Sequence, residues 1–431
     1  MVAARRSALL FLLSVAALAA CQRTDAAAKP PAAAPASPAL RIALAPHTGG
    51  SDLDQRIRDT QAKAAEKPDV PRLERLATMF IAKARGSGDP GFYRLAEASA
   101  DAMPRDGGGV HAAELVRGHV RHSLHDFAAA EVIARRLVRE RGLFLDHGLL
   151  GDVLLDLGRT DEARDVYQRM LDLKPCLQSY ARAAQLRWVQ GDVAGCRELL
   201  ALAASAGSTR DPESMAWVLA RRATLELHAN DAASARAFAD LARQQLPDHP
   251  GALLAHGRAA LALGDADAAC VSLERAVAVS PLPEHAWALV DALRTARREA
   301  EAVRHEADLR RQGEREDPRT FAAWLSTIDG EPALARRLAE AELRTRQDAL
   351  THDVAALARW RNGDLTGAST AMQQALASGI ADARVQLHGA LIADATGDRD
   401  QARRCAQAAA AGLAALLPSE RALLTTLQAR L

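Results

Sequence analysis

Two histidines one helical turn apart are the residues whose spacing most resembles a chemical site. His119 and His122 lie three positions apart, so both rings would share one face of a helix and could reach a single zinc ion. His111, His125 and His147 lie nearby in the sequence, but no glutamate completes a His-Glu-x-x-His pair. The two histidines are therefore weak metal candidates. A polar role on a surface or in a groove is the alternative that the pattern favours.

Motifs that would carry catalysis are missing from the sequence. It has no Gly-x-Ser-x-Gly elbow, no Gly-x-x-x-x-Gly-Lys-Ser/Thr phosphate loop and no His-Glu-x-x-His metal pair. The acidic residues are scattered along the chain, as on solvated helix faces. We predict a protein that is not an enzyme and needs no cofactor.

The charge balance argues against a nucleic-acid partner. Lys and Arg number 55 against 54 Asp and Glu, which gives a formal net charge of +1, and the two signs alternate without a basic block. Aromatic residues make up 3% of the chain, so a large cavity lined by rings is not expected. We predict a protein or peptide partner instead.

The elements that must position any site are helices joined by short turns. In residues 147–175, apolar side chains recur three and four apart on both sides of Gly158, and Pro175 ends the second run. Residues suited to a turn recur along the chain about every 34 positions. These predicted turn residues are His125, Gly158, Gly191, Asn230, Gly264, Arg298, Gly330, Gly363 and Gly397.

Residues 147–175 resemble the tetratricopeptide repeat. The matching residues are Gly151, Leu154, Gly158, Ala163, Tyr167 and Pro175. The resemblance, which extends to a group of bacterial multi-repeat tetratricopeptide proteins, implies an all-α, helix-turn-helix solenoid that winds as a right-handed superhelix. We expect about nine or ten helix pairs over residues 51–431. Gly151 and Ala163 should face each other within a pair, and Tyr167 should fill the space between neighbouring pairs.

The N-terminal residues resemble the signal of a bacterial lipoprotein. An apolar run follows Arg5 and Arg6 and ends in Leu18-Ala19-Ala20-Cys21, small residues ahead of a cysteine. The resemblance implies a signal peptide over 1–20 and acyl chains on Cys21, which together would hold the protein on a membrane. Residues 21–50, rich in Ala and Pro, are predicted to be a tether. We expect an outer-membrane lipoprotein that faces the periplasm.

The resemblance also implies where a partner would bind. In that family the inner-face residues lie about three, six, ten and thirteen positions before the turn residue. That rule, with neighbouring polar side chains, gives a candidate groove of Trp188, Trp217, Trp324, Trp360, Gln185, Arg258 and Arg361. Packing of these rings against adjacent helices is the competing interpretation. The leading function is a membrane-anchored scaffold or adaptor in the cell envelope, and the alternative is a periplasmic ligand- or metal-binding lipoprotein that uses the region of His119 and His122.

Cysteine spacing leaves two possibilities for the body of the protein. Cys176, Cys196, Cys270 and Cys405 are even in number and fall in different predicted helices, without a CxxC pair. Cys196, Cys270 and Cys405 lie at positions where helices should pack together. Buried free thiols are therefore favoured over disulfides.

Overall fold

The computed structural model describes residues 37–208 and 210–431. The predicted signal peptide, Cys21 and the first part of the predicted tether lie outside the described residues. Within the described ranges the chain is helical, with no β-strand. In chain order the helices are α1 (Pro38–Ala43), α2 (Asp52–Glu66), α3 (Val70–Ser87), α4 (Gly91–Asp101), α5 (Gly109–Ser123), α6 (Phe127–Glu140), α7 (Phe144–Asp156), α8 (Thr160–Leu173), α9 (Leu177–Val189), α10 (Val193–Ser205), α11 (Pro212–His228), α12 (Ala232–Gln245), α13 (Pro250–Ala262), α14 (Ala266–Val279), α15 (Pro283–Thr295), α16 (Glu299–Glu316), α17 (Pro318–Thr327), α18 (Pro332–Leu343), α19 (Ala349–Arg361), α20 (Leu365–Leu376), α21 (Ala383–Thr396), α22 (Arg399–Ala411) and α23 (Pro418–Gln428), with a 3₁₀ turn at Leu413–Ala415 before the last.

The helices form ten consecutive antiparallel pairs, from α3 with α4 to α21 with α22. Each second helix packs on the first helix of the next pair, and several first helices also contact one another in series, such as α9 with α7 and α11 with α13. This stacking of each pair on the next is the packing of a solenoid of the tetratricopeptide type. The fold class is confirmed.

The turn inside each pair contains a residue in the left-handed backbone conformation, with positive φ, and the N-cap residue of the second helix follows it. Gly158, Gly191 and Gly264 have φ between 73° and 81° there, which glycine adopts without strain. An aspartate then caps many of the second helices by accepting a backbone N–H three residues later. These aspartates are Asp126, Asp192, Asp231, Asp265, Asp364 and Asp398.

Two predicted turn residues were wrong by one position. The left-handed residues are Arg297 and Asp329, with φ of 60° and 56°, rather than Arg298 and Gly330. At the second site, glycine was chosen for its conformational freedom, but the chain places the aspartate in the left-handed region instead. The error shifts the whole register of positions counted back from Gly330.

Within a pair, glycines let a large side chain reach the opposite helix. A Cβ added at Gly151 would lie 2.3 Å from Cε1 of Tyr167, and one at Gly257 would lie 2.5 Å from Cγ of Leu273. Gly151 therefore faces the ring of Tyr167, which fills space inside its own pair. Its hydroxyl donates to Asp152, with 2.8 Å between the oxygens.

The folded body begins before the predicted boundary at residue 51. Helix α1 starts at Pro38, with the Ser37 hydroxyl as its cap, and packs against α4. Ala43 is fully buried in the core of the first units. The amide of Gln61 donates to the carbonyls of Ala43 and Ala45, at 3.0 and 2.9 Å. The second part of the predicted tether thus belongs to the solenoid, because its short helix has an apolar side to bury.

The described residues include no helix that is both long enough and apolar enough to cross a membrane. Cys196, Cys270 and Cys405 are buried and Cys176 is half-buried, all four as free thiols. This confirms the helix-packing positions inferred for the first three.

The solenoid closes on itself, because late units contact middle units far away in the sequence. The N–H of Gln347, in the loop after α18, donates to the carbonyl of Asp156 at 2.9 Å, and Arg346 forms an ion pair with the Asp156 side chain. At the next unit, the turn at Gly191 lies against Gly379. A Cβ at Gly191 would stand 2.2 Å from the Gly379 carbonyl oxygen.

The same closure continues toward the C-terminus. The side chain of Asn230 accepts the N–H of Ala414 at 3.0 Å, and Arg258 donates to the carbonyl of Ala415 at 2.6 Å. Beyond it, the N–H and hydroxyl of Ser419 both donate to the buried carboxyl of Asp291, at 2.9 and 2.6 Å. The turns of the middle units thus dock on the loops of the last units. The groove expected from the sequence is narrowed to a partly enclosed interior.

We expect Gly191→Ala to destabilise the protein more than Gly264→Ala does. Both residues have positive φ, so each substitution costs about 1 kcal/mol of backbone strain. Only the Cβ at Gly191 overlaps a backbone oxygen, whereas one at Gly264 meets no atom within 4 Å. The additional loss at Gly191 should be about 1–3 kcal/mol. Thermal unfolding followed by circular dichroism measures the difference, and equal losses would mean that the closure contributes nothing.

Candidate functional site

The interior of the closed solenoid holds a cavity of about 290 Å³. Its wall is made chiefly by the first helices of seven successive pairs, namely α9, α11, α13, α15, α17, α19 and α21. Ala415, the last residue of the 3₁₀ turn, also lines the cavity. The closure contacts described above therefore also form part of the wall.

Two tryptophans give the cavity an apolar, aromatic side. The Trp188 ring packs on the imidazole of His228, with 4.6 Å between the ring centroids, and is 8% exposed. Trp217 is 40% exposed, and Leu350, on the opposite part of the wall, is 36% exposed. A large apolar side chain that lines a cavity and remains exposed to solvent offers a contact surface to a ligand.

His228 joins the cavity wall to the closure of the solenoid. Its Nδ1 accepts the backbone N–H of Ala383 at 3.2 Å, so the proton lies on Nε2, which is 3.6 Å from a carboxylate oxygen of Asp382. Burial, opposed by the charge of Asp382 and assisted by that of Arg258, lowers the pKa of His228 to about 4. The imidazole is therefore neutral at physiological pH.

Four arginines line the cavity, and three of them have a carboxylate partner. Arg258 lies 3.4 Å from Glu284, Arg319 lies 3.3 Å from Asp348, and Arg384 is paired with Glu420. The fourth, Arg221, donates to the side-chain oxygen of Gln185. Among residues 37–208 and 210–431, no carboxylate oxygen lies within 4.0 Å of the Arg221 guanidinium.

The wall offers groups for binding rather than a nucleophile with its base. Burial raises the pKa of the Cys196 thiol to about 11, so it is protonated at neutral pH. The hydroxyl of Thr224 donates to the Ala220 carbonyl in its own helix, and Asp353 accepts from the buried His388 at 2.9 Å. The arrangement can hold a ligand by charge, hydrogen bonds and aromatic contact.

One unit of the chain matches a known family. Residues 147–175 match the tetratricopeptide repeat. This is the segment whose Gly151, Gly158 and Tyr167 carry the packing described above. A search of curated proteins found no match to the chain.

Solved structures with related architecture include three that cover much of the chain. A Rap protein complexed with competence and sporulation factor is 11% identical, covers 83% of this chain and 99% of its own, and gives a TM-score of 0.47. A tetratricopeptide repeat protein from Parabacteroides merdae is 13% identical, with coverage of 57% and 98% and a TM-score of 0.38. A human IFIT1 dimer with m7Gppp-AAAA is 16% identical, with coverage of 67% and 72% and a TM-score of 0.37.

Four of the seven residues predicted to line a tetratricopeptide groove come together at the cavity. Gln185, Trp188, Trp217 and Arg258 all contribute to its wall. Arg258 is 9% exposed, and its Nε is buried without a hydrogen-bond partner. These four residues lie three to thirteen positions before Gly191, Asn230 and Gly264, which all have positive φ.

Trp324 was placed on the inner face by the wrong turn residue. It is 1% exposed and stacks on Phe321 in the core, with Arg310 over its other face. Counting six positions back from Asp329, the true turn residue, gives Ala323, which does line the cavity. Trp324 is therefore a core residue that a partner cannot reach in this conformation.

Trp360 and Arg361 also lie away from the cavity. Trp360 is half-buried against the apolar cluster around Leu376, and the Arg361 guanidinium stacks on it, 4.3 Å from the ring centroid. Arg361 donates to the carbonyls of Ser326 and Thr327 at 2.6 and 3.3 Å, so it caps the end of α17. These two residues pack neighbouring units together.

The histidine pair does not assemble a metal site in the described part of the chain. His122 lies 2.8 Å from the carboxylate of Asp156, as part of the closure network with Arg346. Burial, with the charges of Arg85 and Arg182, lowers the pKa of His119 to about 3. No group of three or more His, Cys, Asp or Glu suited to a metal ion occurs in residues 37–208 and 210–431.

The sequence interpretation missed several residues of the wall. Arg319 lies ten positions before Asp329, so the same rule finds it once the turn residue is corrected, and Asp353 lies ten positions before Gly363, which the sequence had already indicated. Asp382 and Arg384 precede or begin α21 and reach the cavity through the closure. No local pattern in the sequence marks that long-range contact.

We expect the stability of the protein to fall as the pH is lowered from 6.5 toward 4, partly through His228. The folded protein keeps this imidazole neutral, whereas the unfolded chain binds a proton below pH 6.5. His228→Asn should retain an acceptor for Ala383 and remove up to about 3 kcal/mol of that pH dependence. Thermal unfolding of both proteins at a series of pH values measures this pH dependence. The difference between them at pH 7.5, where His228 is neutral in both states, gives the separate cost of losing the stacking on Trp188. The same change of stability with pH in both proteins would contradict this role of His228.

Proposed function

We propose that this protein is a non-catalytic, lipid-anchored adaptor of the bacterial cell envelope, which binds a protein or peptide partner. The observation that carries the proposal is the cavity wall, where Trp217 is left exposed and Arg221 is left without a carboxylate. Solenoids of this type use their inner surface for binding because neighbouring units need it little for packing. An exposed tryptophan beside a desolvated arginine is the usual composition of a binding hot spot.

The size of the cavity restricts which part of a partner could enter. An α-helix with its side chains is about 10–12 Å across, and the cavity holds about 290 Å³. A folded domain or a helix therefore does not fit in the closed form. The proposal is that a chain terminus or a short extended segment inserts, while the rest of the partner contacts the outer edge near Trp217.

The envelope location rests on the N-terminal sequence. Leu18-Ala19-Ala20-Cys21 has the pattern of a lipidation site, and Gln22 follows the cysteine where an aspartate would favour retention at the inner membrane. Acyl chains on Cys21 would hold the folded body on the periplasmic side of the outer membrane, at the end of the Ala/Pro-rich segment.

We expect Cys21→Ser to abolish the lipid anchor. In the native host, the unchanged protein should incorporate labelled palmitate and sediment with outer membranes, whereas the variant should do neither, because only a cysteine sulfur accepts the first acyl chains. Cys176→Ser serves as the control, since Cys176 is a half-buried thiol of the solenoid. Palmitate labelling of the Cys21→Ser protein would show the anchor assignment to be wrong.

We expect Trp217→Ala to reduce recovery of a crosslinked partner about ten-fold or more, because a hot-spot tryptophan contributes about 2 kcal/mol or more. Co-purification after crosslinking in cells, quantified by mass spectrometry, measures the recovery. Val271→Ala is the matched control, since Val271 is 67% exposed on the second helix of its pair. A partner lost equally with both variants, or retained with Trp217→Ala, would place the binding surface elsewhere.

A further inference from the structure

Arg221 carries a positive charge, and no carboxylate of the described residues contacts it. Its guanidinium lines the enclosed cavity, and its hydrogen-bond acceptor is the neutral amide oxygen of Gln185. An arginine stays protonated at physiological pH. Removing a charged group from water without a counter-charge costs several kcal/mol. The lining arginines that pair with carboxylates show the usual solution, from which Arg221 departs.

We propose that the cavity binds a ligand with one carboxylate and an apolar group, and that the carboxylate pairs with Arg221. A planar guanidinium accepts a carboxylate through two parallel hydrogen bonds, which gives direction as well as charge. The free Nε of Arg258, buried without a partner, is a second donor in the same wall. The ligand would bind in the same cavity as the partner of the proposed function, and the inference rests on that function only in this respect. A free acid and the C-terminus of a peptide both offer the carboxylate that it requires.

The surrounding charges favour a single negative charge over two. Glu284 and Asp382 are close enough to influence Arg221 electrostatically, although neither lies within 4.0 Å. Glu284 is paired with Arg258, and Asp382 faces the neutral His228. Among the described residues, Arg221 is therefore the lining arginine with no carboxylate in direct contact, and a phosphate with nearly two negative charges would be repelled by Glu284 and Asp382.

The apolar group of the ligand has a defined place as well. Trp188, Trp217 and Leu350 line the same cavity, and the last two are the large apolar side chains of the wall that remain exposed. At about 30 Å³ per water molecule, the cavity has room for about ten waters. Such a volume, at the small end of ligand pockets, suits an aromatic acid or the last residue or two of a peptide.

Calorimetric titration of the full-length protein in a non-ionic detergent tests the proposal. The probes are phenylacetate, its neutral analogue phenylacetamide, inorganic phosphate, and a Phe-ending tetrapeptide with a free or an amidated C-terminus. We expect phenylacetate to bind at least ten-fold more tightly than phenylacetamide and than phosphate. Tighter binding of the free tetrapeptide than of phenylacetate would identify a chain terminus as the source of the carboxylate, and the reverse order would identify a free acid.

Variants separate the binding site from the fold. Arg221→Met should weaken phenylacetate binding at least ten-fold without lowering the melting temperature, because it removes a half-buried charge that has no carboxylate in contact. Trp217→Ala should also weaken it. Arg187→Met is the control, since Arg187 is more than half exposed and lies 3.3 Å from Asp192.

Two results would overturn the inference. Equal binding of phenylacetate and phenylacetamide would show that no carboxylate is recognised, and a marked loss of stability in Arg221→Met would show that the charge already has a structural partner. Either result would leave the crosslinking of a partner at Trp217 unaffected. Loss of that crosslink with intact phenylacetate binding would instead reject only the adaptor function.

Discussion

The contact between the turns of the middle units and the loops of the last units determines what this solenoid can do. At Gly191 the approach is so close that a single added carbon would overlap the Gly379 carbonyl. Stacked helix pairs alone leave an inner surface open to solvent along its whole length. Here the superhelix meets itself, so side chains that would line a groove line a cavity, and the electrostatics of the interior follow from that enclosure.

Enclosure makes the polar groups of the interior expensive unless each has a partner. The structure meets this demand with ion pairs between successive units, such as Arg384 with Glu420, and with a pair across the closure, Asp156 with Arg346. Breaking one of these pairs would leave a charge without compensation, which costs more than the pair itself contributes. The pair of Asp156 with Arg346 therefore helps to specify which loop meets which turn. Neutral His228 accepts the N–H of Ala383 and so joins distant units by a hydrogen bond without a charge.

The sequence predicted well whatever depends on neighbours along the chain. The turn at Gly158 and the position of Trp188 follow from local periodicity, because each unit packs mainly on the next. Trp324 shows the sensitivity of this reasoning, since moving the turn from Gly330 to Asp329 exchanges a core residue for a cavity residue. The closure itself could not be predicted. It joins residues such as Asn230 and Ala414, and its stability depends on the accumulated curvature of all the intervening units.

The closed interior also links ligand binding to the shape of the whole chain. The groups beside Arg221 come from first helices of several pairs and, through Asp382 and Arg384, from the last units. A ligand that neutralises Arg221 would bind only when these units are assembled, so its binding energy would add to the stability of the closed form. Opening at the Gly191–Gly379 contact would separate the wall and release it. Binding of such a ligand would therefore be coupled to closure, because the same contacts form the wall and hold the superhelix shut.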